Sequence, residues 1–169
     1  MARADVDLST LAAPSLRRRA ACLLYELVVL FGVGLIPAVL STGITHLLGS
    51  GLAQQLVIQL VGFLSFGAYF VWMWRHGGQT LPMQTWRIRL VTAEGQPLST
   101  AQACRRYLLA WLWVAPPMLL AYLAGWHRWW ALGATAAWAS LYGAWVWRQP
   151  QRQFLHDVLC GTRLVQLPR

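Results

Sequence analysis

Four long apolar stretches organise the chain, approximately Ala20 to Ser41, Ala53 to Trp74, Tyr107 to Gly125 and Trp129 to Trp147. Each approaches the roughly 20 residues that a helix needs to cross a hydrocarbon layer about 30 Å thick. The first follows Arg17, Arg18 and Arg19, as the apolar part of a signal peptide would. It is longer than the roughly 7 to 15 residues such a region has and no A-x-A cleavage site follows, so it reads as a retained span.

Between the second and third stretches the period changes. From Thr85 to Thr92 the order Trp86, Arg87, Ile88, Arg89, Leu90 alternates apolar with charged side chains, which predicts a half-buried strand. Ala93 to Pro97, with Glu94 and Gly95, reads as a turn, and Ser99 or Thr100 as the cap of a helix that enters the membrane at Arg105 and Arg106. The tail repeats the pattern: Gln153 to Cys160 reads as one or two helical turns ended by Gly161, and Thr162 to Leu167 as extended. The two extended pieces are expected to pair, and a two-stranded ribbon is stable only when packed on something larger. The fold class expected is an all-α membrane protein, with four transmembrane helices and a small cytoplasmic two-stranded β element. Residues 1–16 are expected to be a disordered cytoplasmic tail, and 17–169 a single membrane domain.

Composition agrees with that pattern. Only 11% of the residues are charged and 57% are hydrophobic, whereas an ordinary soluble domain has about 25% charged. All 14 basic residues are arginines, against five acids, for a net charge of +9. Such a charge fits nucleic acid or a membrane, and placement decides between them: the arginines lie between the apolar stretches, not along a continuous face. Thirteen of the 14 fall in the N-terminal tail, the second connection and the C-terminal tail, and Arg128 alone lies on the other side. Short arginine-rich loops stay in the cytoplasm, so both termini are expected there. The 11 tryptophans cluster at the ends of the stretches, for example Trp72 with Trp74 and Trp145 with Trp147, where indoles anchor at the headgroup level.

Candidate chemistry is sparse. Cys22, Cys104 and Cys160 lie toward the reducing cytoplasmic side, and no disulfide is expected. His156 and Cys160 stand four apart, but two ligands without further partners do not make a metal site. No Ser, His and acid combination or phosphate-binding loop is present, so neither enzymatic activity nor a cofactor is expected. The one ionisable residue deep within a predicted span is Glu26. An acid at the centre of a span costs about 2.5–3.5 kcal/mol, so it faces the bundle interior or water and has a partner. Arg19, seven residues earlier, is about 10 Å away along a helix, too far for an easy direct bond. Arg106, or the His156–Asp157 pair if the tail folds back, is the candidate third group.

These residues carry a resemblance to the RDD family of bacterial membrane proteins, named for one arginine and two aspartates. Arg19-Ala-Ala-Cys-Leu-Leu-Tyr-Glu26 is similar to the segment that opens the family's first helix. The run Gly78-Gln-Thr-Leu-Pro-Met-Gln-Thr-Trp-Arg-Ile-Arg-Leu-Val91 resembles its stretch after the second helix, and His156-Asp157 followed by Gly161-Thr162 resembles its end. The likeness runs from about Leu16 to Val165. Glu26 stands where the family has its first aspartate, and Pro82 where a glycine is common. The resemblance implies a charge motif of Arg19, Glu26 and Asp157, supported by Arg106, His156 and Thr162, in a bacterial inner-membrane protein.

Two functional readings follow. In the first, the charges tie the first helix, the sheet and the tail together in a structural or assembly protein, whose partners are the lipid bilayer and a membrane protein or second copy. In the second, Glu26 carries a small cation or proton in antiport. Binding of anionic lipid by the cytoplasmic arginines is a further class, although membrane orientation alone accounts for their number.

Overall fold

The computed structural model describes residues 7–48 and 51–168; residues 1–6, 49–50 and 169 lie outside the described residues. Two long helices, α1 (Leu16–Leu48) and α2 (Leu52–Gly77), pack as a hairpin. α1 extends past the apolar stretch Ala20 to Ser41 at both ends, starting at Leu16 and running to Leu48. Its C-terminal part carries polar groups without breaking, because Ser41 and Thr42 return their hydroxyls to the Ala38 carbonyl.

A short helix α3 (Leu81–Thr85) follows, then β1 (Ile88–Thr92), α4 (Thr100–Ala110), a 3-10 turn (Trp111–Trp113), α5 (Ala115–Leu123), α6 (Arg128–Arg148), α7 (Leu155–Leu159) and β2 (Thr162–Gln166). α1 and α2 are each long and apolar enough to cross a membrane, and α4 with α5 makes a third such unit if the bent pair is taken as one. The third stretch, Tyr107 to Gly125, is not one straight helix: the chain turns by 51° at the 3-10 segment, just before Pro116 and Pro117. Pro116 and Pro117 explain the break. They fit the first turn of α5, where no N–H is needed, but offer no donor to continue the helix of α4. α6 has 21 residues, the length of a span, with a less apolar mix of Ala, Gly, Trp and Arg.

β1 and β2 pair antiparallel, from Ile88 opposite Gln166 to Thr92 opposite Thr162. Ile88, Leu90, Val91, Leu98 and Val165 are almost wholly buried and form the core of this cap. Neither edge of the sheet is left open. On the β1 side the Leu90 N–H donates to the Gly78 carbonyl at 2.7 Å and the Thr92 N–H to Gln96 at 2.8 Å; on the β2 side the Gln166 N–H donates to Ala12 at 2.9 Å. Arg163 adds bonds to the carbonyls of Ser9 and Leu11 at 2.7 and 2.6 Å. The described part of the tail, residues 7–15, thus lies along β2, where the sequence led us to expect disorder. Apolar surface elsewhere faces outward: Leu24, Val28, Phe31, Val39, Leu120 and Trp130 are all exposed, as lipid-facing positions are.

Candidate functional site

The ionisable residues flagged in the sequence divide into two buried clusters. The first lies where α4, α7 and the start of α1 meet. Arg106, on α4, sends Nε and Nη2 to a single oxygen of Asp157, Oδ1, at 2.9 and 2.8 Å, with Asp157 fully buried. The guanidinium lies 4.3 Å from the ring centre of Trp74, so this indole is a platform for a cation and not the interfacial anchor expected. Thr162 closes α7 by donating its hydroxyl to the Asp157 carbonyl at 3.2 Å, and Arg105 donates to the Cys160 carbonyl at 2.6 Å.

His156 belongs to the same cluster. Its ring stacks with Phe154 and Tyr142, with planes within 4–7° of its own. The Tyr142 hydroxyl lies 2.8 Å from Nδ1 and accepts the His156 backbone N–H at 3.0 Å. An oxygen already accepting there is free to donate to Nδ1, which leaves the ring proton on Nε2, facing Asp157 Oδ1 at 3.6 Å. Burial pushes the His156 pKa down to about 4, Arg106 and Arg19 reinforcing the shift and Asp157 opposing it. The imidazole is neutral at pH 7.

Arg19 approaches this cluster without joining it. Its Nε donates to the Pro14 carbonyl at 3.0 Å and its guanidinium carbon lies 5.4 Å from the Phe154 ring centre. Both terminal nitrogens, and Asp157 Oδ2, are buried without a hydrogen-bond partner among the described residues.

The second cluster surrounds Glu26. Neither Arg106 nor His156–Asp157, the partners considered from sequence, reaches it. Instead Oε1 accepts from the Tyr69 hydroxyl at 2.8 Å and Oε2 from Thr80 at 2.5 Å. Thr80 is also the N-cap of α3, its oxygen accepting the Met83 N–H at 3.4 Å. The Gly78-to-Val91 run now has a physical reading. Gly78 ends α2 in the left-handed conformation, φ +69°, and a Cβ there would lie 2.5 Å from the Leu90 carbonyl oxygen. Gln79 bonds the Ile88 carbonyl at 2.7 Å, Thr80 serves Glu26, and Pro82 sits in the first turn of α3.

Tyr69 and Thr80 were not assigned from sequence, because neutral hydroxyls are common in helices and loops. Thr80 had a usable signal, standing two residues before a proline as an N-cap does. Among the described residues no group of three or more His, Cys, Asp or Glu is placed to hold a metal ion.

No curated protein and no solved structure shows significant similarity to the chain. The RDD family does match, over residues 13–161. That interval opens just before α1, closes at the glycine after α7, and contains both buried clusters except Thr162. With most of its length inside the match and its helices long and apolar, this membrane protein belongs to the RDD family.

Proposed function

We propose that the protein is a multi-pass bacterial inner-membrane protein of structural or assembly function, with no enzymatic reaction and no cofactor. Its buried charges hold a rigid cytoplasmic cap beneath lipid-embedded helices, for assembly with a membrane-protein partner or a second copy. One observation carries the reading: the Arg106–Asp157 pair joins α4 to the tail and is closed off from solvent. A buried charge is kept when a partner satisfies it, and here the partners come from different elements.

The same contacts support a four-span topology. The N-terminal stretch and β2 lie side by side through Arg163 and Gln166, so both described ends are on one side. An even number of crossings is then required. With α1 and α2 counted, the bent α4–α5 unit and α6 cross as a pair. The weight of arginine favours cytoplasmic ends.

A second reading is favoured by Glu26, whose carboxylate is held by hydroxyls with no basic side chain in contact among the described residues. An acid of this kind can exchange a proton or a small cation if water reaches it. The two readings separate in proteoliposomes holding the purified protein, a pH-sensitive dye and added Na⁺, K⁺ or Li⁺. The assembly reading expects a silent parent and a Glu26→Gln variant of reduced thermal stability. Dissipation of a proton gradient by the parent, lost in a folded Glu26→Gln variant, replaces it with antiport.

A further inference from the structure

The run from α2 into β1 borders a cavity of about 150 Å³, to which the turn before α4 adds Pro97. Gly77 and Gly78 line it at the end of α2, together with Arg75, His76 and Arg89. Each basic side chain is held by local contacts. Arg75 Nε donates to the Thr100 hydroxyl at 2.9 Å, which leaves both terminal nitrogens free. The His76 ring stacks on Trp72, with centres 3.9 Å apart, and its Nδ1 lies 3.0 Å from the Trp72 carbonyl; donation there leaves Nε2 as the free ring nitrogen. The half-buried Arg89 crosses the end of α2 close to the backbone: a Cβ at Gly78 would lie 3.3 Å from its Cγ and 3.4 Å from its Nε. That Nε is buried without a partner among the described residues, whereas the terminal nitrogens keep access to solvent.

Positive charge is left over at this cavity. Among the described residues every ion pair is made by Asp157, so no carboxylate answers Arg75 or Arg89. The C-terminal dipole of α2 amounts to about half a negative charge, against two positive ones. Membrane orientation accounts for the number of arginines in this connection, but not for two of them, unpaired with any acid, meeting at one cavity. A guanidinium is a planar fork that grips phosphate oxygens two at a time. Sites for drug-sized ligands span roughly 300–1,000 Å³, so this smaller volume takes a phosphate with a short ester group and excludes a nucleotide.

We propose that this cavity binds a phosphate group, with Arg75 and Arg89 as its charge partners and His76 beside them. The headgroup of an anionic phospholipid is the source the position favours. Trp72, stacked on His76, is 63% exposed near the end of α2, and such indoles sit at the level where cytoplasmic headgroups meet arginine. The lipid source rests on the topology proposed above; the phosphate site does not, and it is independent of whether Glu26 carries ions.

Thermal unfolding of the full chain in phosphate-free maltoside detergent tests it, with dioctanoyl phosphatidylglycerol, dioctanoyl phosphatidylcholine or inorganic phosphate added. Phosphatidylglycerol is expected to raise Tm by about 5 °C near saturation, phosphatidylcholine to leave it unchanged, and inorganic phosphate to give a smaller rise. Arg75→Gln and Arg89→Gln each require roughly tenfold more lipid for the same shift, the loss of one charged hydrogen-bonding partner. Arg148→Gln, an equal loss of charge at the end of α6 and outside the cavity, matches the parent. Should Arg89→Gln fail to fold, Arg75→Gln decides alone, since Arg75 is exposed at the end of its helix. Equal shifts from both lipids, or an equal loss in Arg148→Gln, overturn the site in favour of diffuse charge. Absence of any shift overturns it outright. A full shift from inorganic phosphate alone upholds the site and makes free phosphate, not lipid, its occupant.

Discussion

At the scale of single residues, rarity made the site legible. In a chain with so few acids, Glu26 and Asp157 stood out against apolar surroundings, as did Arg19 and Arg106 just before apolar stretches. Their pairing was not legible, because it depends on how the tail folds back: Asp157 lies 51 positions from Arg106 in sequence yet 2.8 Å from it in space. Substituting Asp157 by Ala is expected to destabilise the protein by about 3–5 kcal/mol, since Arg106 is then left buried and unpaired; a thermal or denaturant unfolding series in detergent measures the loss. Gly78→Ala is expected to cost more than 1 kcal/mol in the same assay, as it adds left-handed strain to a contact with the Leu90 carbonyl that must open. His156 predicts a pH dependence. The unfolded imidazole takes its proton near pH 6.5 and the folded one only near 4, so the unfolded state holds more protons between these values. Its contribution is intact above about pH 6.5 and declines as the pH falls toward 4, by roughly 3 kcal/mol in full. Unfolding followed across that window is expected to slope upward with pH in the parent and to flatten in His156→Gln.

At the scale of elements, period and punctuation carried the information. The alternation around Ile88 and Leu90, and the glycine before Thr162, marked both strands within a few residues, because an inward face and a left-handed stop are local requirements. Ser99 was one of two candidate caps, and it forms a full capping box with Gln102. Ser99→Ala is expected to remove about 1 kcal/mol from α4, seen as a lower midpoint of unfolding with an unchanged slope on denaturant. The bend between α4 and α5 was less legible. Two adjacent prolines signal a break, but its angle is set by packing against α6, where Trp113 and Trp138 exchange bonds with the Ala139 and Leu112 carbonyls. The order in the tail from Asp7 onward was also hidden, since its bonds come from Arg163 and Gln166 at the far end of the chain.

At the scale of the whole molecule, two kinds of surface meet. The long helices turn apolar side chains outward, as lipid-facing helices do, and nearly all the tight packing is in the cap around the sheet. The cap joins elements far apart in sequence: the N-terminal stretch, β1, α4, α7 and β2. The Arg106–Asp157 pair joins α4 to the tail, and the Glu26 cluster joins α1 to α2 and α3. That these links act as clamps, as the proposed assembly role requires, is the central claim. Hydrogen exchange of the purified protein and of Asp157→Asn, read by peptide mass spectrometry, tests it most directly. The account predicts that Asp157→Asn loses protection by tenfold or more in β1, α7 and β2, while the α1–α2 hairpin keeps its own. Unchanged protection of the sheet and tail in a variant that retains its fold would contradict it.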